Sequence, residues 1–251
     1  MDTLVKPADD KKVILITGAS RGIGAFTAAL LAQQGHKIVI NYANNDAEAT
    51  RVVTQIEALG GVASCFKADV SKSQDVSALF DYAIQSYGKV DILINNAGVM
   101  SFKKIEALDD ETIERVLAIN LKGSLYTMRE AAKRLEHGGK IINLSSSVIG
   151  MKLEGYGIYT ASKAAIESLT AILAKELRGK NITVNAIAPG PTATELFFEG
   201  KSDELIAQLS KAAPLERLGT VEDIAAVIQF AVSHQSDWIN AQVIRANGGI
   251  V

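Results

Sequence analysis

Short apolar runs alternate along the chain with amphipathic stretches of helical length, and glycines or cap residues mark most of the joins. Val13-Ile14-Leu15-Ile16-Thr17 reads as a buried strand, and the stretch from Ile23 to Gln34 as a helix stopped by Gly35. Lys37–Asn41 is a second strand, and Asp46–Leu59 a helix closed by Gly60-Gly61. Val62–Ala68 is a third strand, followed by a helix that Ser71 is expected to cap and Gly88 to end. Val90–Ile94 is a fourth strand, and one long helix is expected over Asp109–Leu135 before Gly138-Gly139. Lys140–Leu144, a helix over Tyr159–Leu177, Ile182–Ile187, a helix over Val221–Val232 and a short strand near Gln242–Arg245 complete the pattern. Strands that are apolar throughout are covered on both faces, and regular alternation with helices implies parallel pairing. The expectation is an α/β fold with a single doubly wound parallel sheet of about seven strands and helices on both faces.

No linker or repeat divides the pattern, so residues 11–251 read as one domain behind a loose tail over 1–10. The tail lacks an apolar stretch and does not read as a signal peptide. The chain has 251 residues, of which 48% are hydrophobic and 22% charged, the profile of a globular protein with a sizeable core. A formal net charge of -2 gives no reason to expect nucleic acid or an anionic membrane as partner. The single cysteine, Cys65, excludes an intramolecular disulfide, and its place in a strand suggests an inert thiol. His36, His137 and His234 have no metal-ligand spacing, so no metal is expected. With no apolar run of the ~18 residues a bilayer span needs, the default location is the cytoplasm.

Two motifs carry chemistry. Thr17-Gly18-Ala19-Ser20-Arg21-Gly22-Ile23-Gly24 follows the first strand and opens the first helix, where glycines let the backbone approach a pyrophosphate and free N–H groups meet it. Tyr159 and Lys163 are four apart, on one helix face. A nearby ammonium favours a phenolate and lowers the phenol pKa from about 10, which suits a tyrosine to proton transfer.

These motifs, with Asn95-Asn96-Ala97-Gly98 after the fourth strand, Asn120 in the long helix, Ser145-Ser146-Ser147 after the fifth strand and Pro189-Gly190 after the sixth, resemble the short-chain dehydrogenase/reductase family. Within it the chain is most similar to 3-oxoacyl-[acyl-carrier-protein] reductase-like members. The resemblance covers nearly everything after residue 11. It implies that Tyr159 is the general acid in carbonyl reduction and that Lys163 lowers its pKa and holds the nicotinamide ribose. Asn120 would hold a water of a proton relay, and a serine would orient the carbonyl. Family spacing from Tyr159 favours Ser146; reading from the Val148-Ile149-Gly150 turn selects Ser147 instead. Ser145 is expected to face away, by strand alternation.

The cofactor contacts implied are Gly18, Ser20, Arg21, Gly22, Ile23, Gly24, Asn41, Asp69, Val70, Asn95, Ala97, Gly98, Tyr159, Lys163, Pro189, Gly190 and Thr192. Asn95 has the alternative of bracing the sheet. The second strand ends Ile40-Asn41-Tyr42-Ala43 without the acid that binds an NAD ribose, and Arg21 is suited to a 2′-phosphate, so NADP(H) is expected. Residues around 192–213 are expected to form a substrate lid whose Leu196, Phe197, Phe198, Leu205, Ile206 and Leu209 either close an apolar pocket or pack on the sheet. The substrate is expected to be a small carbonyl, with a CoA or acyl-carrier-protein thioester as one form. Asn247, where many relatives carry aspartate, leaves a broader carbonyl reductase open. An alcohol, sugar or steroid dehydrogenase and a nucleotide-sensing protein are the alternative readings. Relatives also imply a homotetramer or homodimer.

Overall fold

The computed structural model describes residues 11–251; the tail expected over 1–10 lies outside them. Seven parallel strands form one sheet in the order β3-β2-β1-β4-β5-β6-β7. They are β1 (Val13–Ile16), β2 (Lys37–Tyr42), β3 (Val62–Lys67), β4 (Ile92–Asn95), β5 (Lys140–Leu144), β6 (Thr183–Pro189) and β7 (Val243–Ala246).

Side chains alternate faces along a strand, and this sorts the core into two layers. Ile14, Ile16, Ile38, Ile40, Ile92 and Ile94 pack beneath α1 (Gly22–Gln33), α2 (Asp46–Ala58) and, later in the chain, α10 (Val221–Val232). Leu15, Val39, Leu93, Ile141 and Val184 face α3 (Ser73–Tyr87), α5 (Ser124–Arg134) and α7 (Gly157–Glu176). The remaining helices are short: α4 (Asp110–Val116), α6 (Val148–Met151), α8 (Glu195–Phe198) and α9 (Asp203–Ala212). Among the described residues no helix is long and apolar enough to cross a membrane.

The structure departs from the sequence pattern in instructive places. The single helix expected over Asp109–Leu135 is α4 and α5 joined by a π-helical turn, Leu117–Gly123. The Asn120 side chain clamps Val99, accepting from its N–H and donating to its C=O at 2.9 Å each, while the Ser124 hydroxyl takes the Asn120 carbonyl at 2.8 Å. Polar side chains that occupy backbone groups in this way widen a helical turn. Ser71 does not cap α3: its N–H and hydroxyl both donate to Asp69 Oδ1, and the cap position falls on Lys72. The Val148-Ile149-Gly150 turn is a turn of helix, α6. Cys65 is partly buried, and burial pushes its thiol pKa up.

The sheet centre carries a buried polar ladder. Asn95 Nδ2 donates to Asn143 Oδ1 at 2.8 Å, linking β4 to β5. Thr127 of α5 donates to Asn95 Oδ1 at 2.6 Å, and Asn143 donates to Thr170 of α7 at 2.9 Å. Of the two roles expected for Asn95, its side chain takes the bracing one and does not line the cofactor groove. Removing the middle rung in Asn143→Ala strands partners on both sides. It is expected to destabilise the fold by about 2 kcal/mol or more, read as a lowered urea midpoint; a loss under about 0.5 kcal/mol, the scatter of ordinary surface changes, would refute the ladder's role.

Candidate active site

Strand order reverses between β1 and β4, and the turns that follow these strands splay apart over the sheet edge, where open α/β sheets take ligands. The two turns are tied together below the opening. Thr17 Oγ1 accepts from the N–H groups of Asn96 and Ala97 at 3.0 Å each, and Asn96 Nδ2 donates to the carbonyls of Thr17 and Gly18 at 2.9 Å each. Gly18 has φ +61°, and a side chain there would come within 2.8 Å of Ala97 Cα. A methyl on Gly24 would meet Asn96 Nδ2 at 2.5 Å. The glycines are thus required by close approach as well as by backbone angle.

Above these turns runs an open groove lined by Gly18, Ser20, Arg21, Gly22 and Ile23 on one side and by Asp69, Val70, Ala97 and Gly98 on the other. No side chain caps the N-terminus of α1, so its first N–H groups and positive dipole end remain for an anion. This cradle fits a dinucleotide pyrophosphate. Asn41 reaches the groove wall, but its side chain is spent internally: Oδ1 accepts from Gly18 N–H at 3.3 Å and Nδ2 donates to Ala68 O at 2.9 Å. It holds the glycine turn and has no amide group to spare for a ligand. Tyr42, Ala43, Asn44 and Asn45 follow at the groove, and the first acid, Asp46, is paired with Lys67 at 3.0 Å. Arg21 points across the groove mouth to Glu195 of α8 at 2.8 Å. Sequence reading missed Asn96 and Arg115 as groove residues. Asn96 was legible only as part of Asn95-Asn96-Ala97-Gly98; nothing in the spacing placed Arg115 there, because α4 reaches the groove only after the chain has folded.

Where the groove passes Gly98 it opens into a pocket that contains Tyr159 and Lys163. Helix α7 presents both on one face. The Lys163 ammonium lies 5.8 Å from the Tyr159 ring centroid and donates to Leu144 O at 2.6 Å. Ser146 hydrogen-bonds the Tyr159 phenol, which pulls its pKa down, but burial outweighs this and pushes it up to about 12. Burial likewise brings Lys163 down to about 8. The expected lowering of the phenol by the lysine is therefore not what this geometry shows: both charged forms are disfavoured because both groups are withdrawn from water, Lys163 buried and Tyr159 half-buried. Near neutral pH the site holds a protonated phenol.

The three serines separate cleanly. Ser146 lines the pocket beside Tyr159. Ser147 is buried, donating to Ala188 O and accepting from Asn247 Nδ2, at 2.9 Å each. Ser145 donates to Glu167 Oε1 at 2.7 Å. Asn120 is buried in the π-helical turn; its Oδ1 lies 3.4 Å and Lys163 Nζ 3.6 Å from where a Cβ on Gly98 would stand. The glycine is what lets the two groups flank one point. Pro189 and Gly190 border the pocket, and Thr192, also on its wall, donates to Gly190 O at 2.9 Å.

The rest of the pocket is apolar. Met100, Met151, Leu153 and Tyr156 form one wall and Leu196, Phe197 and Leu209 the other. Of the six apolar residues expected to close it, those three do; Phe198 is exposed, and Leu205 and Ile206 are not on the lining. Apart from Lys163 the lining carries no ionisable cation, and it carries no carboxylate.

A family model described as Enoyl-(Acyl carrier protein) reductase matches residues 18–251. A short-chain type dehydrogenase/reductase of Picea abies is 46% identical over 250 residues, covering 96% of this chain and 92% of that protein. NADPH-dependent aldehyde reductase 2, chloroplastic, of Arabidopsis thaliana is 41% identical over 253 residues, covering 95% and 93%. Among solved structures, a short chain dehydrogenase from Burkholderia cenocepacia in complex with NADP superposes with a TM-score of 0.91 at 32% identity, covering 98% of this chain and 99% of that one.

The low-lying lysine can be checked directly. In a lysine-labelled NMR titration, the signal missing from Lys163→Met is expected to titrate near 8; a midpoint in the ordinary lysine range of about 10.4 would refute burial as the governing influence.

Proposed function

Because the chain belongs to the short-chain dehydrogenase/reductase family, we propose that it is an NADPH-dependent carbonyl reductase that converts a ketone or aldehyde to the alcohol. The observation that carries this reading is the protonated Tyr159 phenol, paired with Ser146, at the inner end of an apolar pocket that opens into the dinucleotide groove. A phenol held neutral is an acid in waiting, which is what reduction of a carbonyl needs.

When bound in the groove, NADPH supplies the hydride that the carbonyl carbon accepts. Tyr159 gives its proton to the carbonyl oxygen and is left as a phenolate. Ser146 orients the carbonyl and hydrogen-bonds the phenolate, and the Lys163 ammonium stabilises the new negative charge across a dry site, where such charges act strongly. Asn120, flanking Gly98 with Lys163, is placed to hold the water through which the proton is replaced. Ser20, Gly22, Gly24 and the open end of α1 would hold the pyrophosphate, Asp69 and Val70 would serve the adenine side, and Pro189, Gly190 and Thr192 the nicotinamide end. NADPH over NADH rests on Arg21 and on the lack of an acid at the end of β2; the 41% identical NADPH-dependent aldehyde reductase supports the same choice.

The uncharged lining supports a small apolar ketone or aldehyde, with a 3-oxoacyl thioester as one form of it. Residues 192–213 act as the lid. Exposed Leu125 on α5 and Ile172 on α7 support pairing of copies through these helices in a homotetramer or homodimer.

Tyr159→Phe keeps the ring and removes the proton. It is expected to lower NADPH oxidation with a panel of aldehydes, ketones and acetoacetyl-CoA by about 10²–10⁴-fold while NADPH binding, read by fluorescence titration, survives; undiminished turnover would exclude Tyr159 as the acid. Arg21→Ala is expected to cut the NADPH-over-NADH affinity ratio by about tenfold, equivalent to about 1.4 kcal/mol. An unchanged ratio would remove Arg21 from the 2′-phosphate.

A further inference from the structure

Lys201 stands beside two aromatic walls of the substrate pocket. It follows Gly200 in the turn between α8 and α9, is half-buried, and lays its ammonium over two aromatic rings, 4.8 Å from the Phe197 centroid and 5.8 Å from that of Tyr156. Both rings line the substrate pocket. The ammonium donates to Phe197 O. Among the described residues no carboxylate lies within ion-pairing distance of it: Glu199 acts on it only from further away, and Glu154, on the facing loop, is 3.8 Å from Lys104. Two nearby lysines are paired, Lys103 with Asp109 at 2.6 Å and Lys104 with Glu154 at 3.8 Å.

A cation taken partly out of water without a counter-charge is held at a cost, which burial registers by pushing the Lys201 pKa down. Two ring faces and one carbonyl recover part of that cost. An anion arriving beside the ammonium would recover more, since the half-buried site is partly shielded from water. The pocket below is otherwise uncharged down to Lys163, so an apolar chain can run from the reacting carbonyl to this rim.

Resting on the reductase reading, we propose that Lys201 is a specificity residue, and that the substrates this enzyme prefers are carbonyl compounds whose apolar chain ends in an anionic group, a carboxylate or a phosphate, bound by Lys201 at the pocket rim. The carbonyl end is served by Ser146 and Tyr159, the chain by Met151, Leu153, Leu196 and Phe197, and the anionic end by the ammonium.

The test is a steady-state comparison of straight-chain ω-oxo carboxylic acids of increasing length with their methyl esters, in the wild type, Lys201→Met and Lys201→Arg. The wild type is expected to prefer the acid at one range of chain lengths. The acid-over-ester ratio of kcat/KM is expected to fall about tenfold in Lys201→Met, chiefly through KM, and to return in Lys201→Arg, because one screened ion pair is worth about one such factor. Straight-chain ω-oxoalkyl phosphates against the corresponding ω-hydroxy aldehydes read the phosphate source in the same variants. If Lys201 only ties the turn to Phe197 O, acid and ester will decline together and the ratio will stay put, which overturns the proposal. An ester preference at every length overturns it too. Failure of the underlying reading looks different: the wild type would then turn over neither acid nor ester at any length while still binding NADPH.

Discussion

Strands β4 and β5 meet at a pair of asparagines buried beneath two helices, and everything that acts in this protein hangs from that junction. The Asn95 and Asn143 amides satisfy each other across the strands, and Thr127 and Thr170 close the ladder onto α5 and α7. A buried amide pays heavily for any misplacement, since its unmet donor or acceptor has no water to turn to. Hydrophobic contacts alone would tolerate sliding; this ladder does not. β4 delivers Asn96, Ala97 and Gly98 to the groove, β5 delivers Ser146, and α7 delivers Tyr159 and Lys163. One set of hydrogen bonds therefore fixes the nucleotide side, the serine and the tyrosine relative to each other.

Dryness is the second governing condition. Lys163 is buried and Tyr159 half-buried, and burial moves their pKa values in opposite directions, down to about 8 and up to about 12. A wet tyrosine–lysine pair would be a weak electrostatic couple. In this pocket the phenol stays protonated at neutral pH, with Ser146 bonded to it and the Lys163 ammonium close by.

Residues 192–213 connect regions that the sheet keeps apart. Glu195 engages Arg21 at the groove mouth, Leu196, Phe197 and Leu209 wall the pocket, and Lys201 sits on its rim. Five residues of one excursion after β6 thereby reach the groove mouth, the pocket and its rim.

The sequence by itself determined the alternation of elements, the doubly wound parallel sheet, the glycine turn and the candidate proton donor. These follow from local rules: apolar runs covered on both faces, glycine where backbone must approach backbone, and a tyrosine and lysine one helical turn apart. Only the tertiary structure decided between partners that are equivalent locally. Ser145, Ser146 and Ser147 are three identical residues in a row, and Glu167, Tyr159 and the Ala188 carbonyl, distant in sequence, assign each its direction. Asn95 and Asn96 are likewise identical neighbours, one turned into the ladder and the other to the glycine turn. The break of the long helix at Asn120 depends on Val99 and Ser162, and the pKa of Tyr159 on how much protein covers it. Burial and long-range hydrogen bonding are properties of the assembled chain, so no pattern of neighbours along it could have stated them.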